Sequence, residues 1–187
     1  TGSLVETFSL DMKQNGVNEQ VGKYYCGELN DYFYTVYSNR EKIYTTYIEG
    51  GRGGGTGYYC LIHDSNTGTD SLAYIYYEAG TLLYKEFMDG SKSLIAIYPN
   101  GYTVSPDETK AGFGDMMLKG EKSTAKEVHD YLDGVSVIDP DERGLSNALT
   151  FGISDKMTTS TTVTTTAAKT TATPAVTTKP AKDNSQA

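Results

Sequence analysis

Seven short segments rich in tyrosine, isoleucine and threonine follow one another between Val21 and Pro99, and they constrain the fold more than any other feature. These residue types suit the pleated surface of a β-sheet. Turn-forming sequences such as DSNTGTD, EAG, MDG and PNG separate the segments, so we predict an antiparallel meander of about seven strands. The segments are VGKYYCGE, DYFYTVYS, EKIYTTYIE, TGYYCLIH, SLAYIYYE, TLLYKEF and KSLIAIYP.

The segment before this meander has the pattern of an amphipathic helix. Leu4, Val5, Phe8 and Met12 recur at helical spacing, Ser3 and Glu6 match an S-x-x-E capping box, and Gly16 stands where a helix would end. The alternative is a strand through Leu4, Phe8, Leu10 and Met12, but Glu6 interrupts its apolar face. The pattern favours the helix.

A second helix is predicted near the end of the chain. Thr124-x-x-Glu127 is a capping box, Val128, Tyr131 and Leu132 share one helix face, and Gly134 follows. GVSVI and ALTFGI are typical of late strands. The whole pattern predicts an α+β fold: an N-terminal amphipathic helix leading into the meander, with a second short helix and late strands.

The last thirty residues differ in composition from the rest. Between Thr158 and Pro180, twelve residues are threonine and none is aromatic, so this segment cannot bury enough surface to fold. We therefore predict a globular domain over 1–157 and a Thr-rich linker or tail over 158–187. Such tracts are typical of O-glycosylated linkers outside cells, and a plain disordered tail is the alternative.

Charge excludes two classes of partner. The overall net charge is −8, and since 158–187 holds three lysines and one aspartate, residues 1–157 carry −10. A body this acidic argues against nucleic acid and anionic membrane as partners. The chain begins at Thr1 and contains no signal peptide and no apolar run long enough to span a bilayer, which suggests a processed or truncated form.

Cys26 and Cys60 are the two cysteines, and each ends a YYC triplet. In an extracellular protein they would pair in a disulfide. Such a bridge would close a loop of roughly 35 residues and stabilise the fold by about 3–4 kcal/mol. Two buried thiols are the alternative.

The sequence IEGGRGGGTGYYC, residues 48–60, suggests a phosphate-binding loop at first sight. A P-loop needs a lysine after its last glycine, and Thr56 stands there; the glycine spacing of a dinucleotide fold also fails, and strands flank the segment on both sides. We interpret it as a connection between strands. Arg52 is its one basic residue and a candidate partner contact.

DSNTGTD, residues 64–70, resembles a calcium loop, with Asp64, Asn66 and Asp70 as candidate ligands. The glycine and glutamate required at the sixth and twelfth positions are replaced by Thr69 and Ile75. A solvated hairpin turn explains the same residues, so we expect no cofactor and keep calcium only as an alternative.

The sequence contains no motif for catalysis. Neither histidine stands in a zinc or triad motif, and aspartate and glutamate are too frequent here for a catalytic pair to be chosen. We expect a protein that is not an enzyme.

Sixteen tyrosines and no tryptophan are the main aromatic signal. Tyr32 with Tyr34, and Tyr74 with Tyr76, stand two residues apart, so each pair shares one face of its strand. Exposed, they would contact a sugar or a protein. Cross-strand packing in the core is the alternative.

Two resemblances follow. Residues 3–105, with LVETFSLDMKQNG before the meander and LAYIYYEAGTLLYKEF within it, resemble the globular part of minor type IV pilins and pseudopilins. This implies a non-enzymatic subunit of a surface filament, encoded with an apolar helix directly upstream of Thr1; the hydrophobic segment and its processing site are missing from the chain itself.

The Thr-rich tail is similar to linkers in secreted, fibre-degrading proteins of Gram-positive gut bacteria, which implies a polysaccharide-binding module. We therefore expect a non-catalytic extracellular or cell-surface domain. Its role would be pilin-like assembly or adhesion, with carbohydrate binding as the alternative and a ligand-binding lipoprotein domain as a third option.

Overall fold

The computed structural model describes residues 1–47, 56–139 and 145–154. They belong to one compact unit, Thr1–Met157. The Thr-rich tail and the glycine-rich segment 48–55 lie outside the described residues. Within the described ranges, no helix is long and apolar enough to cross a membrane.

Fifteen strands and two helices occur in these ranges. The first four strands are β1 (Ser3–Leu10), β2 (Glu19–Cys26), β3 (Asp31–Ser38) and β4 (Glu41–Thr45). The next four are β5 (Thr56–Asp64), β6 (Thr69–Tyr77), β7 (Thr81–Glu86) and β8 (Lys92–Tyr98). The short strands are β9 (Thr103–Val104), β10 (Lys110–Ala111), β11 (Gly114–Asp115), β12 (Met117–Leu118), β13 (Glu121–Lys122), β14 (Val135–Val137) and β15 (Gly152–Ile153). The helices are α1 (Ala125–Leu132) and α2 (Leu145–Ala148).

These strands form two antiparallel main sheets. The first sheet has the order β1-β2-β3-β4, and the second has the order β13-β12-β8-β7-β6-β5-β14. Two small pairs complete the fold, a β10-β11 hairpin and a parallel β9-β15 contact. The antiparallel meander is thus confirmed, but it is divided between two sheets instead of forming one.

Both faces of the second sheet are buried. Side chains alternate along β5, so Tyr59 and Leu61 face the first sheet, whereas Cys60 and Ile62 face the helices. The layer between the sheets, which we call the inter-sheet core, contains Met12, Val21, Tyr34, Val36, Tyr59, Leu61 and Leu72. The layer on the other face, the helix-side core, is larger and includes Cys60, Ile75, Leu83, Tyr98, Met116, Val128, Leu145 and Phe151.

The predicted N-terminal helix is wrong, and with it the α+β class: the fold is mostly β. Residues Ser3–Leu10 form β1, an edge strand paired with β2. A register shift between Leu4 and Glu6 interrupts the alternation, which removes the objection that Glu6 posed to a strand. Glu6 is exposed, while Phe8 and Leu10 pack against the inter-sheet core.

The helix predicted at Thr124 is present as α1. The Thr124 hydroxyl accepts a hydrogen bond from the Glu127 N–H at 3.2 Å, and the Glu127 carboxylate accepts one from the Thr124 N–H at 2.8 Å. Val128 and Leu132 are buried in the helix-side core. The capping box and the apolar face are both local features, so this helix could be predicted from the sequence alone.

Candidate functional site

A cleft opens at the end of the sandwich, between the β1–β2 turn and the β7–β8 turn. Its volume is about 420 Å³, within the range of small-molecule sites. The lining combines apolar side chains with lysines, carboxylates and an amide. The lining residues are Met12, Lys13, Gln14, Ser71, Leu72, Lys85, Glu86, Phe87, Met88 and Asp89.

One wall of the cleft is the β1–β2 turn, which two carboxylates hold in place. Asp11 accepts a hydrogen bond from the Gly16 N–H at 2.7 Å. Glu19, which is buried, accepts hydrogen bonds from the N–H groups of Met12 at 3.1 Å and Lys13 at 3.3 Å. These charge-assisted hydrogen bonds to the main chain hold the turn in one conformation.

The opposite wall is the β7–β8 turn. The Phe87 N–H donates to the Ser91 carbonyl at 2.9 Å, and Gly90 adopts a φ of +82° that favours glycine. The Asp89 carboxylate accepts hydrogen bonds from the Ser91 hydroxyl at 2.6 Å and its N–H at 2.9 Å, which lower the pKa of Asp89. The Phe87 ring is 42% exposed and lies 5.4 Å from the Lys85 ammonium.

The floor of the cleft contains a buried carboxylate, Glu86. Tyr44 donates a hydrogen bond to its Oε1, and Lys92 Nζ lies 3.2 Å from its Oε2. Oε2 accepts no well-aligned hydrogen bond from the described residues. Burial raises the pKa of Tyr44, and the bond to Glu86 raises it further, so the phenol remains a donor.

A second cleft of about 190 Å³ adjoins the first. The two share Gln14, Ser71 and Lys85 in their linings, so they form one continuous groove. The second cleft extends the groove to Asp64 and Tyr131 beside α1.

The two residues of the first predicted tyrosine pair differ in burial. Tyr34 is fully buried in the inter-sheet core and donates a hydrogen bond to Asp139. The Tyr32 ring is half-buried, with the Lys23 ammonium 4.6 Å from its centroid. Neither ring lines the groove.

Both rings of the second pair are half-buried and contact other tyrosine rings. The Tyr74 ring lies 4.9 Å from that of Tyr59 and 6.3 Å from that of Tyr76, centroid to centroid. Neither Tyr74 nor Tyr76 lines the groove. Arg52, the remaining predicted contact, lies outside the described residues.

The candidate calcium ligands are engaged by protein groups. Asp64 accepts hydrogen bonds from the Asn66 N–H at 2.9 Å and from the Tyr131 hydroxyl, while Asp70 lies 2.8 Å from the His63 ring nitrogen. Burial opposes ionisation of Asp64, but its hydrogen bonds outweigh that effect and lower its pKa. The described ranges contain no group of three His, Cys, Asp or Glu side chains that would hold a metal.

The predicted disulfide is not found, and both cysteines are buried thiols. The alternation of β5 explains this difference. Cys60 faces the helix-side core, whereas the first sheet, which contains Cys26, packs on the opposite face of the second sheet. The Cys60 side chain therefore points away from the first sheet, and the second sheet lies between the two thiols.

Sequence reasoning missed the buried charges. Three carboxylates with almost no exposed side-chain surface each lie beside a lysine, and two of these pairs are in or next to the groove. The pairs, with their N···O distances, are Lys13–Glu19 at 3.6 Å, Lys23–Asp139 at 3.2 Å and Lys92–Glu86 at 3.2 Å. One feature of the sequence could have indicated such a pair: a charged residue at an inward-facing position of an alternating strand. Lys23 is an example, since it stands two residues after Val21 in β2.

Comparison with known proteins gives no matching family model, no matching curated protein and no matching solved structure. The role of the groove therefore follows from its own residues.

Proposed function

We propose that this chain is a non-catalytic extracellular binding domain whose groove takes a carbohydrate. The observation that supports this most is the preformed groove with one exposed aromatic ring, Phe87, among hydrogen-bonding side chains. With no disulfide found, the extracellular placement rests on the Thr-rich tail alone.

The lining suits the chemistry of a sugar. Sugar hydroxyls both donate and accept hydrogen bonds, and the groove offers donors from Lys13 and Lys85, acceptors from Asp89, and both from Gln14 and Ser71. The apolar face of a sugar ring packs on an aromatic surface, and the Phe87 ring supplies one. Since both turns are held by hydrogen bonds to carboxylates, binding would cost little ordering entropy.

Affinity electrophoresis against a panel of neutral and acidic soluble polysaccharides tests this function. We expect at least one polysaccharide to retard the domain, and Phe87→Ala and Lys85→Ala to weaken that retardation. Tyr102→Ala is the matched control, because Tyr102 is also an exposed aromatic residue, 69% accessible, but does not line the groove. Equal retardation of all variants would place binding elsewhere, and no retardation by any polysaccharide would reject the proposal.

A second candidate function is assembly of like subunits, as the pilin-like resemblance implied. It is favoured by β1, the edge strand of the first sheet, which exposes Leu4 and Val5 by more than half of their surface. An edge strand presents unpaired main-chain groups to which a second copy can add a strand.

Sedimentation velocity over a concentration series tests this assembly. We expect self-association that Val5→Lys abolishes, whereas Val17→Lys, at an exposed turn position, leaves it intact. A monomer at every concentration would remove this candidate.

A further inference from the structure

Lys23 and Asp139 form the most deeply buried of the three lysine–carboxylate pairs. Lys23 Nζ lies 3.2 Å from Asp139 Oδ2, and the two side chains are 5% and 0% exposed. Lys23 belongs to β2 in the first sheet, and Asp139 follows β14 of the second sheet, 116 residues further along the chain. The contact therefore joins the two layers of the sandwich.

A charged pair is expensive at such a position. Removing an ammonium and a carboxylate from water costs several kcal/mol per ion, and their attraction only partly offsets it. Burial raises the pKa of Asp139, in spite of opposing hydrogen bonds from Tyr34 and the Leu61 N–H and the charge of Lys23. The buried carboxylate of Asp139 therefore accepts a proton more readily than a carboxylate in water does.

The surroundings of Asp139 match the requirements of acyl transfer to an amine. The Leu61 N–H donates to Oδ1 at 2.7 Å, where it would stabilise negative charge on that oxygen. The Tyr34 hydroxyl donates to Oδ2, where it can deliver a proton to a departing oxygen. Lys23 Nζ also lies 3.5 Å from the main-chain carbonyl of Asp139, which holds the amine in place.

We propose that Lys23 and Asp139 join in an intramolecular amide bond that ties the two sheets together covalently. Lys23 first gives one proton to the Asp139 carboxylate, and the lone pair of the neutral amine then attacks Cγ. The C–Oδ2 bond breaks with its electron pair on oxygen, Tyr34 protonates Oδ2, and the attacking nitrogen returns a proton to Tyr34. One ammonium and one carboxylate become one amide and one water molecule, with no oxidant, reductant or other reactant.

The other two pairs provide an internal comparison. Lys13 is 39% exposed and Lys92 is 31% exposed, so water solvates both ammonium groups. Glu86 is as deeply buried as Asp139, but its lysine partner is in contact with water. These pairs should therefore remain salt bridges, and Lys92 serves as the matched control.

Mass spectrometry of the full chain tests the bond. We expect the denatured wild type to be lighter than its sequence mass by one water molecule. A tryptic digest should contain residues 14–40 linked to residues 127–143, with no cleavage after Lys23 and normal cleavage after Lys92. Lys23→Met should have its full sequence mass and no linked peptide, and Tyr34→Phe should reduce the linked fraction.

The linked peptide decides the outcome, because an Asp-Gly sequence such as Asp89–Gly90 can also lose water by cyclising. Cleavage after Lys23 and recovery of residues 127–143 as an unlinked peptide, whatever the intact mass, would overturn the proposal. This readout needs only folded wild-type protein, so it holds even if Lys23→Met fails to fold, and it is independent of carbohydrate binding.

Discussion

The hydroxyl of Tyr44, on β4 of the first sheet, donates a hydrogen bond to the carboxylate of Glu86, on β7 of the second sheet. This bond crosses the sandwich next to the cleft. Glu86 is buried, and its other oxygen lies 3.2 Å from the Lys92 ammonium. The two sheets are thus held together by a polar contact as well as by the inter-sheet core.

Tyr44→Phe should destabilise the domain by about 1–3 kcal/mol, because the buried Oε1 of Glu86 loses the hydrogen bond that the Tyr44 hydroxyl donates. Urea unfolding followed by tyrosine fluorescence measures the change in the free energy of unfolding. Tyr47→Phe is the control: Tyr47 is exposed, so the change there should stay within about 0.5 kcal/mol. Equal stability of both variants would show that the Tyr44–Glu86 bond contributes nothing net.

The β5–β6 turn should make stability depend on acidity. The hydrogen bonds of Asp64 lower its folded-state pKa below the ordinary value of 3.8, although burial opposes them. Its contribution is therefore present above pH 3.8 and is lost as the pH falls from there through the lowered value. Asp64→Asn should flatten the fall in the urea midpoint below pH 4. An unchanged pH profile in this variant would exclude Asp64 as a source of the acid sensitivity.

Cys26 and Cys60 should be inaccessible in the folded protein, since both are buried in the sandwich. We expect Ellman's reagent to react with neither thiol under native conditions and with both in guanidinium chloride. Intact mass should be the same before and after reduction. A gain of two hydrogen atoms in mass on reduction would show that a disulfide is present and would contradict the position of Cys60 on the helix side.

The strands β2 to β8 could be predicted because their signal is local: the residue types favour strands, and turn formers separate them. Their division into two sheets could not. The break between β4 and β5 falls at the glycine-rich segment, and nothing in that segment specifies whether Thr56 continues the sheet of Thr45 or begins another. Partner choice is a long-range property that depends on which faces bury the most apolar surface.

The N-terminal error has the same origin. Leu4, Val5, Phe8 and Met12 fit a helical period, and they also fit a strand whose register shifts near Glu6. Pairing with β2 decides between these structures, and tertiary contacts override the local pattern. Lys23 shows why the buried charged pairs could not be predicted from the sequence. A lysine in a strand is normally exposed, and nothing local to β2 indicates that Asp139, far along the chain, lies beside it.

The capping box of α1 offers the last test, since α1 covers part of the helix-side core. Thr124→Ala removes the hydroxyl that accepts from the Glu127 N–H, and we expect it to lower the free energy of unfolding by about 1 kcal/mol. Thr124→Ser keeps that acceptor and should be close to wild type. Thermal unfolding monitored by circular dichroism compares the three proteins. If alanine and serine are equivalent, packing of Val128 and Leu132 against the sheet fixes α1 without help from its cap.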